Sequence, residues 1–472
     1  MTTILSKPDF KDWLSPMLVK ELRQGMRSRV FMAAFFLTQV LMILSTILNL
    51  TSSSGNGEFG VMSEFLNGVF WFMIAVPVLL LTPIRGFGSL HGEMKERTLE
   101  LVFLTRLTAS RITVGKWMAL MVQALLLLCG VLPYVLVRYF LGGVNILADL
   151  QSLLFILVVS GMLTALTVAL SPYESKLLRG LLVIGLFIGF FILLANFVTL
   201  ISVGMTLGTT ASVVAFFYGG LALFVPAVII LSLEIGASRI APSAENHAIL
   251  KRLIGIYFVV AGAILICLHA GASTVITYVL ALLTIVAIDA LAETQEFNRT
   301  VYRPFLKLGA IGRFLALFLT PGWVSASWYI LLLTVVCGAG LALAGDAGNE
   351  LTRVSFLGSL IFPAALIRLF VPRTQHFLGF YIAIQFFCGA LFILFAMAGI
   401  GGDLSTPIGI WPIPSCVFLF SINERIQPEQ LHYFMTATSA ITILSMGVLI
   451  GRTIAPLRDI RAALRQDAKS DV

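Results

Sequence analysis

Charge is scarce in this chain. Only 11% of its 472 residues are Asp, Glu, Lys or Arg and 59% are hydrophobic, whereas soluble globular domains carry about 25% charged residues. A water-soluble fold would have to bury the apolar surplus in one core, and cores stop growing near roughly 250–300 residues. Disorder is excluded on the same ground, because so apolar a chain cannot stay solvated. Cysteine is also sparse: Cys129, Cys267, Cys337, Cys388 and Cys416 include no C-x-x-C pair. His91, His247, His269, His376 and His432 share no ligand spacing. Neither a disulfide framework nor a metal site is expected, and no set of catalytic or cofactor-binding residues stands out. A phosphate-binding loop is missing too. Gly115-Lys116 comes nearest, but Ser110 occupies the first glycine position and Trp117 the Ser/Thr position.

What the chain has instead is long apolar runs. A helix needs about 20 apolar residues to cross the hydrocarbon layer. Twelve runs approach that length: Phe31–Leu50, Gly68–Pro83, Val114–Val137, Ser152–Leu170, Gly180–Val203 and Ser212–Leu233, then Leu253–Leu268, Thr274–Leu291, Ser327–Gly345, Ser355–Leu369, Phe377–Ile400 and Tyr433–Ile450. They are continuously apolar, without the alternation of barrel strands, and lipid offers no partner for unpaired backbone groups. The expected class is therefore an all-α polytopic membrane protein with about twelve transmembrane helices.

The loops agree with that count. Lys and Arg collect on the cytoplasmic side of membrane proteins. With the N-terminus inside, all but three of the 31 basic residues fall on inside segments, the exceptions being Arg138, Arg353 and Arg425. Both termini are thus expected in the cytoplasm, with the chain in a cell (inner or plasma) membrane. The excess of basic over acidic residues reads as membrane orientation, and no nucleic-acid partner is implied.

Two inside segments carry more than flanking charge. In residues 1–30, Trp13, Leu14, Met17, Leu18 and Leu22 recur at helical spacing opposite Lys20, Arg23 and Arg27, with Ser15-Pro16 as a start signal. Such a helix lies along the headgroups, Trp13, Lys20 and Arg23 anchoring it to membrane lipids. The loop 85–116 contains the helix-forming stretch Gly92–Thr105, where Leu99, Val102 and Phe103 share a face and Glu93, Glu96, Arg97 and Glu100 surround it. Apolar residues among three glutamates suit a docking surface for a soluble protein.

The segment Glu93–Leu104 resembles the E-x-E-x-G-T-L-E-x-L signature of ABC-type permeases of the second, mostly exporting class. Glu93, Thr98, Leu99 and Glu100 stand at matching positions, with Lys95 and Arg97 replacing the second glutamate and the glycine. Ser15-Pro16, followed by Leu18-Val19-Lys20-Glu21-Leu22-Arg23, is similar to the N-P-V-L-x-K-E-L-R opening of the same family. Ser110-Arg111-Ile112 with Gly115-Lys116 resembles the lead into its third span. The resemblance covers about Ser15 to Leu233. It implies that residues 1–30 form an elbow helix. Glu93, Glu96, Arg97, Thr98, Leu99, Glu100 and Arg106 would couple the chain to a separate ABC-type ATPase subunit. ATP would act through that partner, this chain binding no cofactor and being no enzyme itself.

The family unit has six spans and this chain twelve. The expected domains are a six-span permease unit at 31–233, a second unit at 234–452 and a basic cytoplasmic tail at 453–472. The second unit is either a degenerate parallel repeat, with a second elbow at Glu234–Arg252 and a second coupling loop at Asp289–Ser325, or an accessory membrane domain. In the latter case a homodimer or a second permease would complete the pore. Polar residues within spans are pathway candidates, here Gln123, Asn196 and Gln385, with Asp289 near a boundary. The spans show no evident acid–base pair. Two other classes stay open: an ion- or proton-driven secondary transporter, and a membrane-embedded lipid-modifying enzyme.

Overall fold

The structure, a computed structural model, describes residues 16–53, 60–95, 107–141, 145–173, 180, 184–185, 210–267, 272–294, 298–343, 350–371, 374, 376–398, 413–422 and 428–470. Among them every regular element is a helix. Eight helices are long and apolar enough to cross a membrane, or nine if one pair bent by 93° counts as a single span. The protein is thus all-α and polytopic. The fifth apolar run, Gly180–Val203, lies outside the described residues except at 180 and 184–185.

The chain divides into two compact units, Met1–Ala241 and Pro242–Val472. The first contains α1 (Pro16–Met26), α2 (Arg29–Ser53), α3 (Gly60–Val76), α4 (Thr82–Phe87), α5 (His91–Lys95), α6 (Ala109–Leu141), α7 (Ile146–Leu170) and α8 (Thr210–Ile240). A π-helical turn at Pro77–Leu81 joins α3 to α4. Pro77 lacks the N–H that an unbroken ladder needs. Within that turn the Val78 carbonyl accepts from Ser160 Oγ of α7 at 2.8 Å. Phe31, Met42, Phe70, Ile74, Leu127, Val131 and Leu153 form one core across α2, α3, α6 and α7.

α2 shows why water is the wrong solvent. Phe36, Leu37, Val40 and Ile47 are all more than half exposed, a continuous apolar surface on a 25-residue helix. Soluble monomers rarely tolerate such a face. α6 carries buried Lys116 toward one end and buried Arg138 toward the other. Twenty-two residues at 1.5 Å each separate them by about 33 Å, close to the hydrocarbon thickness.

The second unit contains α9 (Ala248–Cys267), α10 (Ala272–Leu291), α11 (Arg299–Lys307), α12 (Gly309–Leu319), α13 (Trp323–Leu343), α14 (Glu350–Phe370), α15 (Phe377–Ala398), α16 (Pro414–Ile422) and α17 (Pro428–Ser470). α8 continues through Glu234 to Ile240, residues 241–247 are turns and bends, and Arg252 belongs to α9. Glu234–Arg252 therefore forms no separate elbow helix. Two devices shape Asp289–Ser325. Gly309, at φ +64°, lets α12 turn away from α11 in a conformation that favours glycine. Thr320–Gly322 then bends the chain by 93° into α13.

Helix packing is close where small residues meet. A Cβ at Gly236 of α8 would lie 3.1 Å from Ala169 Cα of α7, whereas one at Gly447 of α17 meets nothing within 4 Å. Gly236→Ala is expected to destabilise the purified protein by about 1–3 kcal/mol through overpacking against backbone. Gly447→Ala is expected to be neutral or stabilising by a few tenths to about 1 kcal/mol. Thermal unfolding in detergent checks both.

Candidate functional site

The sequence places its docking chemistry in the first unit, and there α1 is packed rather than merely adjacent. Leu18 is buried, while Lys20 and Arg23 are exposed. Glu21 Oε1 lies 3.3 Å from the Lys116 ammonium of α6. Arg85 of α4 donates to Gln123 Oε1 of α6, to the Gly25 carbonyl at 3.3 Å and to Ser28 Oγ at 3.3 Å. Its guanidinium also stands 5.8 Å from the Phe31 ring centre. These contacts couple α1 to α4 and α6 through directional, charge-assisted bonds. Glu21, Gln24, Ser28, Arg85, Lys116 and Gln123 line an open cavity of about 380 Å³.

The described flanks of the loop 85–116 are fastened just as firmly. Ser171, at the end of α7, accepts through Oγ from the Leu90 and His91 N–H groups at 2.9 and 3.1 Å. Ser110 Oγ donates to Glu234 Oε2 of α8 at 3.0 Å. Leu90, Ile112, Leu120, Val168 and Leu233 form a buried cluster, and Met94 and Leu107 pack against it. Met94 precedes and Leu107 follows the segment 96–106, so both ends of that segment start from one apolar seat. Glu96, Arg97, Thr98, Leu99, Glu100 and Arg106 lie outside the described residues, as do Trp13 and Asn196. Glu93 belongs to α5, with its side chain outside them.

The two described amide candidates both join helices. Gln123 is 2% exposed and holds Arg85. Gln385 of α15 donates to the Ser359 carbonyl of α14 at 2.8 Å and to Tyr381 Oη at 3.3 Å, and accepts from Ser415 Oγ of α16 at 3.1 Å. Interhelical hydrogen bonds of this kind are common in membrane bundles.

A second constellation escaped the sequence reading, which had found no acid–base pair in the spans. In the second unit the Lys251 ammonium lies 2.7 Å from both Asp289 Oδ2 and Glu293 Oε1. Arg252 lies 2.9 Å from Glu293 Oε2. Lys251 and Arg252 are almost fully buried. The four charges cancel, as burial requires. The cluster also repairs the bent chain: Arg252 donates to the Phe318 and Gly322 carbonyls and to Ser325 Oγ, and Glu293 Oε2 accepts the Gly322 N–H at 2.9 Å. A break in a span strands backbone groups that lipid cannot satisfy. Arg368 of α14 does the same for α10, donating to the Leu291 carbonyl at 2.9 Å between the rings of Trp323 and Phe377. Asp289 and Glu293 are four residues apart, as neighbours on a helix would be, but their cations lie 38 to 42 positions away. The carboxylate spacing was the only local signal.

Burial alone would raise the Glu293 carboxyl. The Lys251 and Arg252 charges and the Gly322 N–H outweigh it and hold the group well below the ordinary carboxylate range, at about 2. A carboxyl lowered on folding stabilises the protein above its unfolded value and loses that contribution as pH falls through the folded one. Thermal stability is therefore expected to be flat down to about pH 5 and to fall toward pH 2, and Glu293→Gln should shrink that acid-dependent loss. At neutral pH, Glu293→Gln or Lys251→Met is expected to cost about 3–5 kcal/mol, because each leaves an uncompensated buried charge. Comparison with family models, curated proteins and solved structures returned no match to this chain.

Proposed function

We propose that the chain is the membrane-spanning permease subunit of an ABC-type exporter, driven by a separate ATP-binding subunit that docks on the loop 85–116. The observation that carries the reading is the anchoring of that loop and of α1 onto the same spans. Met94 and Leu107 share one apolar seat, and Glu21, Arg85, Lys116 and Gln123 lock α1 to α4 and α6. A push on the loop would thus reach α1, α4, α6, α7 and α8 together, as a lever in alternating access requires. The resemblance of Glu93 and Thr98–Glu100, and of Ser15–Arg23, to the family's motifs points the same way.

In this reading both termini are cytoplasmic, twelve spans cross a cell membrane, and ATP is bound by the partner alone. Exposed Lys20 and Arg23 face lipid headgroups along α1. The second unit is a diverged six-span repeat or an accessory domain, with a homodimer or second permease completing the pore. An ion-driven carrier is the second reading, favoured by the buried Lys251–Asp289–Glu293 cluster.

Affinity isolation of the full-length chain in mild detergent is expected to bring a soluble P-loop ATPase. Glu96→Ala combined with Glu100→Ala should weaken that association by about tenfold or more, the effect of removing interface anchors. If the ATPase never accompanies the chain, or the double variant keeps it fully, the proposal fails. Transport abolished by a protonophore with ATP intact would favour the carrier.

A further inference from the structure

If the second unit is a degenerate repeat, Asp289–Ser325 is the counterpart of the coupling loop. Its geometry points to a different use: α11 and α12 form an interfacial anchor, with the apolar face of α12 seated in the anionic lipid leaflet that surrounds the second unit. The residues of this surface are not those of the loop 85–116, and the inference holds whether or not an ATPase docks on that loop.

The direction of α12 is the first support. It meets α13 at 93°. With α13 crossing the bilayer, α12 runs along the membrane plane. The bend is held from several sides. Arg252 takes the Phe318 and Gly322 carbonyls, Glu293 takes the Gly322 N–H, and Asn246 Nδ2 donates to the Leu319 carbonyl at 3.4 Å. The other end is held by contact. A Cβ at Gly312 would stand 1.8 Å from the Phe305 carbonyl oxygen, so α11 folds closely onto α12.

The face of α12 is the second. Ile311, Phe314, Leu315 and Phe318 recur at intervals of three and four residues, one stripe of a helix. Ile311 is 72% exposed and Phe314 63%, and Leu308 just before them 61%. Water would leave this stripe unsatisfied. A helix lying in the plane sinks such a face about 5–10 Å into the boundary between headgroups and acyl chains.

Charge selects the lipid. From Asn298 to Gly345 the sequence holds Arg299, Arg303, Lys307 and Arg313 and no acidic residue. Arg303, Lys307 and Arg313 are exposed, and among the described residues no carboxylate pairs with them. On the helical wheel Arg313 stands across from the apolar stripe, where headgroups would be. Basic side chains beside an apolar stripe bind anionic membranes by two additive terms, and the electrostatic one is lost at high salt.

Two experiments on the full-length protein test this. A photoreactive benzoylphenylalanine placed singly at Ile311 or Phe314, both on the surface, is irradiated in vesicles of phosphatidylcholine with phosphatidylglycerol. Adducts to phospholipid are expected. Adducts to protein would mean that the face is a docking surface, and absence of any adduct would mean that it faces water; either overturns the inference. In the second, phosphatidylglycerol retained by the detergent-purified protein is compared with phosphatidylcholine by native mass spectrometry. The ratio is expected to fall by up to about fivefold for each charge removed in Arg303→Gln, Lys307→Gln and Arg313→Gln, and least at high salt. An unchanged ratio in the triple variant, with an unaltered size-exclusion profile, would overturn the choice of anionic lipid. Unaltered single variants with a collapsed triple would be judged on the singles, each expected to shift the ratio in the same direction.

Discussion

The hydrocarbon layer offers no hydrogen bonds, and the buried polar contacts among the described residues answer to that fact. A straight apolar helix satisfies its own backbone and needs nothing more. Each departure from straightness has to be repaired from within. In the π-helical turn at Pro77–Leu81 the Val78 carbonyl is met by Ser160 Oγ of the neighbouring helix. The bend at Thr320–Gly322 is larger and needs more: Arg252 collects two carbonyls, and Glu293 takes the N–H that begins the next helix. Arg252 can serve both carbonyls because a single guanidinium presents several N–H donors at once.

Charge burial then imposes its own condition. Arg252 and Lys251 can sit inside the second unit only because Asp289 and Glu293 stand within 3 Å of them. The cluster ties α9 and α10 to the hinge between α12 and α13. In the first unit the corresponding work is divided between the two ends of α6. Lys116 and Gln123 engage Glu21 and Arg85 near one end, while Arg138 pairs with Asp149 at 3.7 Å and donates to Asn67 at 2.6 Å at the other. Both arrangements turn isolated polar residues on separate helices into fixed angles between them.

That rigidity bears on function. The loop 85–116 starts and ends on a packed apolar seat shared by α6, α7 and α8, while α1 is clamped to α4 and α6. In the proposed reading, force applied at such a loop would be shared among the spans instead of being absorbed locally. In the second unit Asp289–Ser325, the stretch matching that loop in order, holds a different object: two short helices closely packed at Gly312, with bulky apolar side chains directed outward.

Composition and periodicity by themselves determined that this chain is helical and polytopic. Each apolar run carries its own instruction, and a helix in lipid pays for its backbone locally. The basic stripe beside Leu18 and Leu22 was legible for the same reason, being a pattern within one turn or two. Contacts between runs were not. Asp289 reads as a boundary residue and Lys251 and Arg252 as part of a possible second elbow, since nothing in either stretch names its partner about forty residues away. Gln123 read as a pathway candidate until Arg85 was seen against it. Only the tertiary structure decided these pairings, because burial is a property of how helices meet, and it is burial that turns a solitary polar side chain into a bond that must be made.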